Sequence, residues 1–229
     1  MIGVIADIHS NLEALYAVIE DLTERKVDET YCLGDIVGYG ASPNECCDII
    51  RKMNIHCVMG DHDHAVATGK LLNWFNPDAQ KTISWTRKKL DKKDKIFLSV
   101  LPRKLSLEFQ GVELGLVHGS PWDELFEYVM PTVKNIEAKK FLEEMKCKVL
   151  ALGHTHIPFG KEVKTGLVFN PGSVGQPRDG NPLASYAIID PDTLKIKIVR
   201  VEYDIETAVG KMQRECLPSF LGERLQEGI

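Results

Sequence analysis

Five short apolar runs in this chain each end in residues able to hold a metal ion. Ile2–Ala6 runs into Asp7-Ile8-His9, and Tyr31-Cys32-Leu33 into Gly34-Asp35. Val58-Met59 runs into Gly60-Asp61-His62-Asp63, Leu116-Val117 into His118-Gly119, and Val149–Leu152 into Gly153-His154-Thr155-His156. Five of the seven histidines fall in these tips, whereas histidines of a core or a solvated surface would be scattered. Oxygen and imidazole donors without cysteine favour manganese, iron, cobalt, nickel or zinc in a hydrolytic centre over a thiolate-bound structural zinc. Counting Asp7, His9, Asp35, Asp61, His118, His154 and His156 gives seven candidate ligands. That is too many for one tetrahedral ion and enough for two sharing a carboxylate.

Such residues must be positioned by elements that bring distant tips together. Ile2–Ala6 is followed by Ser10-Asn11-Leu12-Glu13, a capping box with Ser10 at the cap, and a helix with apolar positions Leu12, Leu15, Val18, Ile19 and Leu22. Thr30–Leu33 leads to a second helix start, Ser42-Pro43-Asn44-Glu45, and Ile55–Met59 is a third strand-like run. Asn76-Pro77-Asp78 opens a more helical middle, and Val133–Met145 reads as a helix. Lys104–Phe109 with Val112–Val117, Glu162–Lys164 with Leu167–Asn170, and Ala184–Asp190 with Leu194–Val201 read as antiparallel hairpins. A βαβ first third and a β-rich last third predict an α/β fold, two packed sheets with helices outside, in one domain over residues 1–229. The carboxyl ends of parallel strands can then converge on one crevice.

Composition excludes several classes. The chain has 229 residues, with 28 Lys+Arg against 33 Asp+Glu, a formal net charge of −5. An acidic chain draws no general affinity from a phosphate backbone, so sequence-independent nucleic-acid binding is not expected. No apolar run approaches the roughly 20 residues that span a bilayer, and no basic segment precedes the first strand. The expectation is a cytoplasmic protein without membrane contact, with homo-oligomers left open. Cys32, Cys46, Cys47, Cys57, Cys147 and Cys216 form no CxxC pair and are expected to be buried, reduced thiols.

The ordered series D-x-H (Asp7, His9), G-D (Gly34-Asp35), G-D-H-D (Gly60–Asp63), H (His118) and G-H-T-H (Gly153–His156) resembles the calcineurin-like metallophosphoesterase superfamily. The stretch from His118 to Tyr128 and Asn170-Pro171-Gly172-Ser173-Val174-Gly175 look like its small single-domain bacterial and archaeal members. The resemblance implies a four-layer αββα sandwich of two mixed sheets flanked by helices. It implies two divalent ions, manganese favoured: one on Asp7, His9 and His156, the other on Asp61, His118 and His154, with Asp35 bridging. His62 would protonate or stabilise the leaving oxygen, a task for an imidazole with pKa near neutral. Two ions can hold a bridging hydroxide and neutralise charge in an in-line displacement, so the expected activity is hydrolysis of a phosphodiester or small phosphorylated metabolite or nucleotide. Alternatives are a phosphomonoesterase, a dinucleoside polyphosphate hydrolase, or a non-catalytic metal-binding scaffold of the same fold.

Three positions depart, one from the family pattern and two from that of its protein phosphatase branch. Asp61 stands where the family usually has Asn, which adds a negative charge and predicts tighter metal binding with weaker electrophilic help. Gly38 and Tyr39 replace the Asp and Arg of the protein phosphatase motif G-D-x-V-D-R-G, which removes a phosphate-binding guanidinium and favours a small substrate. Arg178, in a Gly/Pro-rich loop, is either a phosphate ligand or a surface arginine paired with Asp179. Asp63 either orients His62 or caps backbone, while His56 and His64 are structural. Trp74, Phe75 and Trp85 are expected to pack helices on the core, and Trp122 has the better claim to the pocket rim.

Overall fold

The computed structural model describes residues 1–229. One sheet is built on β1 (Ile2–Ile5), which pairs in parallel with β2 (Glu29–Cys32), itself parallel to β3 (His56–Cys57). On the other side of β1 lie β9 (Ala184–Asp190) and β10 (Lys195–Val201), both joined antiparallel. The second sheet has the order β4 (Lys104–Phe109), β5 (Val112–Val117), β6 (Val149–Leu152), β8 (Gly166–Asn170), β7 (Phe159–Val163). Its three inner strands are parallel, and its two edges are the outer arms of antiparallel hairpins.

Alternation of side chains along the strands builds the layers. Ile2, Val4 and Ala6 face the second sheet and pack with Leu114, Leu116, Val149, Ala151, Leu167 and Phe169. Ile5 points the other way, onto Leu15 and Val18 of α1 (Leu12–Glu24) and Cys46 and Ile50 of α2 (Pro43–Lys52). On the far side, Leu150, Leu152 and Val168 pack against Ala138, Phe141 and Leu142 of α6 (Asn135–Met145). The order is therefore helix, sheet, sheet, helix, as the resemblance implies. Further helices α3 (Asp61–Thr68), α4 (Pro77–Lys89) and α5 (Lys92–Ser99) extend the first outer layer. No helix is long and apolar enough to cross a membrane.

Local details differ from the sequence reading. The cap of α1 is Asn11, whose Oδ1 accepts from the Ala14 N–H at 3.2 Å, because Ser10 is drawn into a left-handed conformation (φ 55°) by the neighbouring metal-capable loop. The Ile55–Met59 run is paired only at His56 and Cys57 before Gly60 turns the chain into α3. Two C-terminal helices, α7 (Ile205–Arg214) and α8 (Phe220–Glu227), were not foreseen; their Ala208, Met212, Leu221 and Leu225 enclose Tyr39 and Ala79 in a separate small cluster. All six cysteines are free and five are buried, but Cys216, beyond the end of α7, is exposed.

Phe169 is wholly buried between the sheets. Phe169→Ala is expected to lower unfolding free energy by roughly 3–5 kcal/mol, read from the urea midpoint; a loss under about 1 kcal/mol would contradict the intersheet packing described.

Candidate metal centre

The seven foreseen donors converge. Asp7 and His9 lie on the loop after β1, Asp35 follows β2, Asp61 opens α3, His118 follows β5, and His154 and His156 follow β6. Backbone bonds knit these tips: Asp7 N–H donates to Gly34 O (3.0 Å), His9 N–H to Asp35 O (2.9 Å), and Gly153 N–H to His118 O (2.8 Å). Across the sheets, the His154 N–H donates to Asp7 Oδ1 at 3.2 Å. Five of the seven donors, Asp7, His9, Asp35, His154 and His156, have φ between 48° and 67°. L-residues there cost about 1–2 kcal/mol each, and such strain gathers where the fold over-determines a site.

Backbone carbonyls set the tautomers. Nδ1 of His9 faces Val37 O (3.2 Å), Nδ1 of His118 faces Leu33 O (2.8 Å), and Nδ1 of His156 faces Gln176 O (2.6 Å). A carbonyl only accepts, so each Nδ1 carries a proton, and each Nε2 points inward, where it offers a lone pair whenever the ring is neutral. His154 is reversed and presents Nδ1.

The inward atoms of the seven form two groups, Asp7 with His9 and His156, and Asp35 with Asp61, His118 and His154, and a third set overlaps both by joining His9 and Asp35 to His62. His9 Nε2 lies 3.1 Å from His156 Nε2, and His118 Nε2 lies 3.2 Å from His154 Nδ1 and 3.2 Å from Asp61 Oδ1. Asp35 Oδ2 sits 3.5 Å from His9 Nε2 and 3.5 Å from His118 Nε2, between the groups. Ligands about 2.1 Å from one ion stand roughly 3.0–3.4 Å apart at octahedral or tetrahedral angles. Paired lone pairs at that spacing, and the buried Asp7 Oδ2 without a hydrogen-bond partner, fit divalent cations.

His62 borders both groups. Its backbone N–H donates to Asp35 Oδ1 at 3.0 Å, and its ring lies 4.5 Å from Tyr39 and 4.9 Å from His9. Gly38 allows that placement: with φ 102°, a Cβ there would meet His62 Nδ1 at 2.5 Å. Gly60 has an equally tight duty, since a Cβ would fall 2.0 Å from Asp35 Oδ1. Asp63 does not orient His62; its carboxylate accepts from the N–H groups of Val37 (3.1 Å) and Gly60 (3.2 Å) and caps backbone.

A cavity of about 170 Å³ opens beside Asp35, Asp61, His62, His154 and His156, with Arg178 on its wall. Arg178 is not paired with Asp179, which binds Arg200; its guanidinium donates to Gln176 Oε1 (2.8 Å) and lies 5.8 Å over the Tyr39 ring. It is the one lysine or arginine in the lining. Trp74 and Phe75 also line the cavity, with Phe126 and Tyr128, whereas Trp122 rests outside it on Phe141 at 4.6 Å. Trp74 thus lines the cavity instead of packing on the core, Phe75 packs on the core as expected while also lining the cavity, and Trp122 lies off the rim expected for it. Tyr39, which replaces the phosphatase arginine, was missed as a site residue, and its place two residues after the G-D-I-V tip was the available signal.

The chain belongs to the calcineurin-like phosphoesterase superfamily: the model of that domain matches residues 1–194. The protein MJ0912 of Methanocaldococcus jannaschii is 41% identical, over 98% of this chain and 97% of its own. A crystal structure of a metallophosphoesterase from Sphaerobacter thermophilus superposes with a TM-score of 0.83 at 35% identity, covering 100% of this chain and 98% of that one. The phosphodiesterase YfcE of Escherichia coli is 48% identical over 48 residues, 21% of this chain and 26% of that protein.

Charge behaviour follows from burial. Burial, reinforced by Asp61, Asp63 and Asp7, holds the Asp35 carboxyl well above the usual range, and burial lifts Asp7 to about 6. Asp61 is the opposite: burial would raise it, but hydrogen bonds with His118 and His154 hold it well below. Burial drives His9 and His156 well below the ordinary imidazole value. For His118, burial is outweighed by Asp61 and Asp7, which lift it to about 8. A metal takes only the unprotonated donor. Manganese affinity should therefore rise up to about tenfold per pH unit as His118 loses its proton towards pH 8, and more steeply below pH 6, where Asp7 also competes. Calorimetric titration from pH 5.5 to 8.5 checks this; a flat profile would contradict it.

Proposed function

We propose that this chain is a binuclear, divalent-metal phosphoesterase that hydrolyses a phosphodiester or small phosphorylated nucleotide or metabolite. The observation carrying the reading is Asp35 Oδ2 at 3.5 Å from both His9 Nε2 and His118 Nε2, where one carboxylate can serve two ions. Asp7, His9 and His156 would hold one ion, and Asp61, His118 and His154 the other. Manganese suits this oxygen- and nitrogen-only donor set and is the favoured metal. When bound, the ions would supply Lewis acidity and a water activated at neutral pH.

The chain's own residues supply the rest. Arg178 provides a single positive charge beside the donors, matched to the single charge of a phosphodiester. Burial pushes His62 down to about 4, so it meets the substrate as a neutral imidazole instead of the near-neutral acid foreseen. It therefore stabilises the departing oxygen by a donated N–H hydrogen bond, and proton transfer needs the substrate's negative charge to raise its basicity. His62 gives the catalytic reading an advantage over a scaffold, which has little need of a leaving-group donor.

With manganese, the chain should hydrolyse bis(p-nitrophenyl) phosphate. Asp35→Asn should remove activity and weaken metal binding together. His62→Ala should keep both metals yet slow turnover roughly a hundredfold, more for esters with alkyl leaving groups than for p-nitrophenolate, whose departure needs little help. No hydrolysis across a panel of divalent metals would contradict the reading and favour a scaffold.

The three ligand carboxylates set −3 against +4 from two divalent ions, where Asn at position 61 would leave −2. Asp61→Asn should thus loosen manganese binding by about tenfold while raising turnover of the anionic ester. Unchanged affinity together with unchanged turnover would contradict this account of the departure.

A further inference from the structure

We propose that the substrate carries a nucleobase, and that Trp74, Phe75 and Phe126 form the wall on which the base stacks; this rests on the phosphoesterase reading above. Trp74 is 70% exposed, while Leu72 and Phe75 on either side of it pack against the core. It ends a single 3-10 turn, Leu72–Trp74, entered through Leu71 at φ 63°. A leucine in that conformation is strained, so the turn is held in a geometry that turns the indole outward.

The indole meets an aromatic from a different loop. Trp74 stacks on Phe126 with ring centroids 5.2 Å apart and planes 24° apart, and Phe126 meets Phe75 edge-on at 6.4 Å. Phe75 in turn lies edge-on to His62 at 4.9 Å. An aromatic surface thus runs from solvent to the imidazole that serves the leaving oxygen, along a cavity whose floor is the Asp/His cluster. Asn76 adds a polar edge: its carboxamide oxygen accepts from the N–H groups of Asp78 (3.1 Å) and Ala79 (2.9 Å) at the start of α4, which leaves the amide group for a ring carbonyl or nitrogen.

A nucleobase has the matching chemistry, with two apolar faces and a polar rim. Arg178 is the one lysine or arginine in the lining, so beyond the phosphoryl group held at the metal donors the cavity offers no second guanidinium or ammonium for the further phosphates of a polyphosphate bridge. That favours a nucleotide ester over a dinucleoside polyphosphate and over a ringless phosphorylated metabolite.

The test uses two probes that differ only in the base, adenosine 5′-monophosphate and ribose 5-phosphate, titrated calorimetrically into the manganese-loaded full chain. The wild type should bind the adenosine compound about tenfold or more tighter. Trp74→Ala and Phe126→Ala should each shrink that preference to about twofold with the ribose 5-phosphate affinity retained, and Trp74→Phe should keep most of it. Equal affinities in the wild type, or a preference that survives both alanine variants, would overturn the proposal. Because affinity and hydrolysis are read separately, a chain that shows the preference but hydrolyses no ester would refute the enzyme reading alone. An active chain with no preference would refute the stacking wall alone.

Discussion

The structure is organised around one electrostatic demand: three carboxylates and four inward imidazole lone pairs held within a few ångströms in a buried place. Unit charges about 4 Å apart repel by about 4 kcal/mol at an effective dielectric of about 20. Burial adds to this, and Asp35 and Asp7 are accordingly held above the usual carboxylate range. Such a cluster persists only if its backbone is fixed by something stiffer than the side chains. The strand tips are cross-linked to one another by main-chain bonds, and the loop Ser173–Gly175 closes over Asp7 through the Ser173 hydroxyl and the Gly175 N–H. The left-handed conformations of five donors register the load that this frame carries.

Imidazole orientation shows how the frame tunes chemistry without further charges. Carbonyls of Leu33, Val37 and Gln176 each hold one Nδ1, so three histidines present the same nitrogen inward, and none spends an acidic side chain on orientation. Asp63, the acid that follows His62 in the chain, is committed to backbone N–H groups. The His62 ring has no carboxylate on its buried Nδ1, and burial outweighs Asp61 in keeping it neutral. In the protein phosphatase motif an Asp stands where this chain has Gly38, and here the glycine gives the His62 ring its space instead.

The donor set was legible because strands leave a plain mark, a short apolar run, and the chemistry sits at its end. The same alternation of Ile2, Val4 and Ala6 against Ile5 that marks a strand also dictates which face meets the second sheet. The aromatic wall was not legible, because Trp74 and Phe75 in a helical stretch have the composition of core residues, and only tertiary placement shows that one of them faces solvent. The cap of α1 was misread by one residue for a related reason. Ser10 is the better local cap, but the loop geometry that presents His9 takes it out of register. Net charge was misleading until localised: an acidic chain suggests indifference to anions, yet its cavity carries Arg178 and a donor set suited to divalent metal.

Everything in this frame turns on whether Asp35 is shared by two ions. Anomalous diffraction from crystals of the manganese-loaded chain tests it most directly. The account predicts two peaks of comparable occupancy about 3.5–4 Å apart, with Asp35 between them, Asp7, His9 and His156 around one, and Asp61, His118 and His154 around the other. A single peak, or a pair that does not share Asp35, would contradict it.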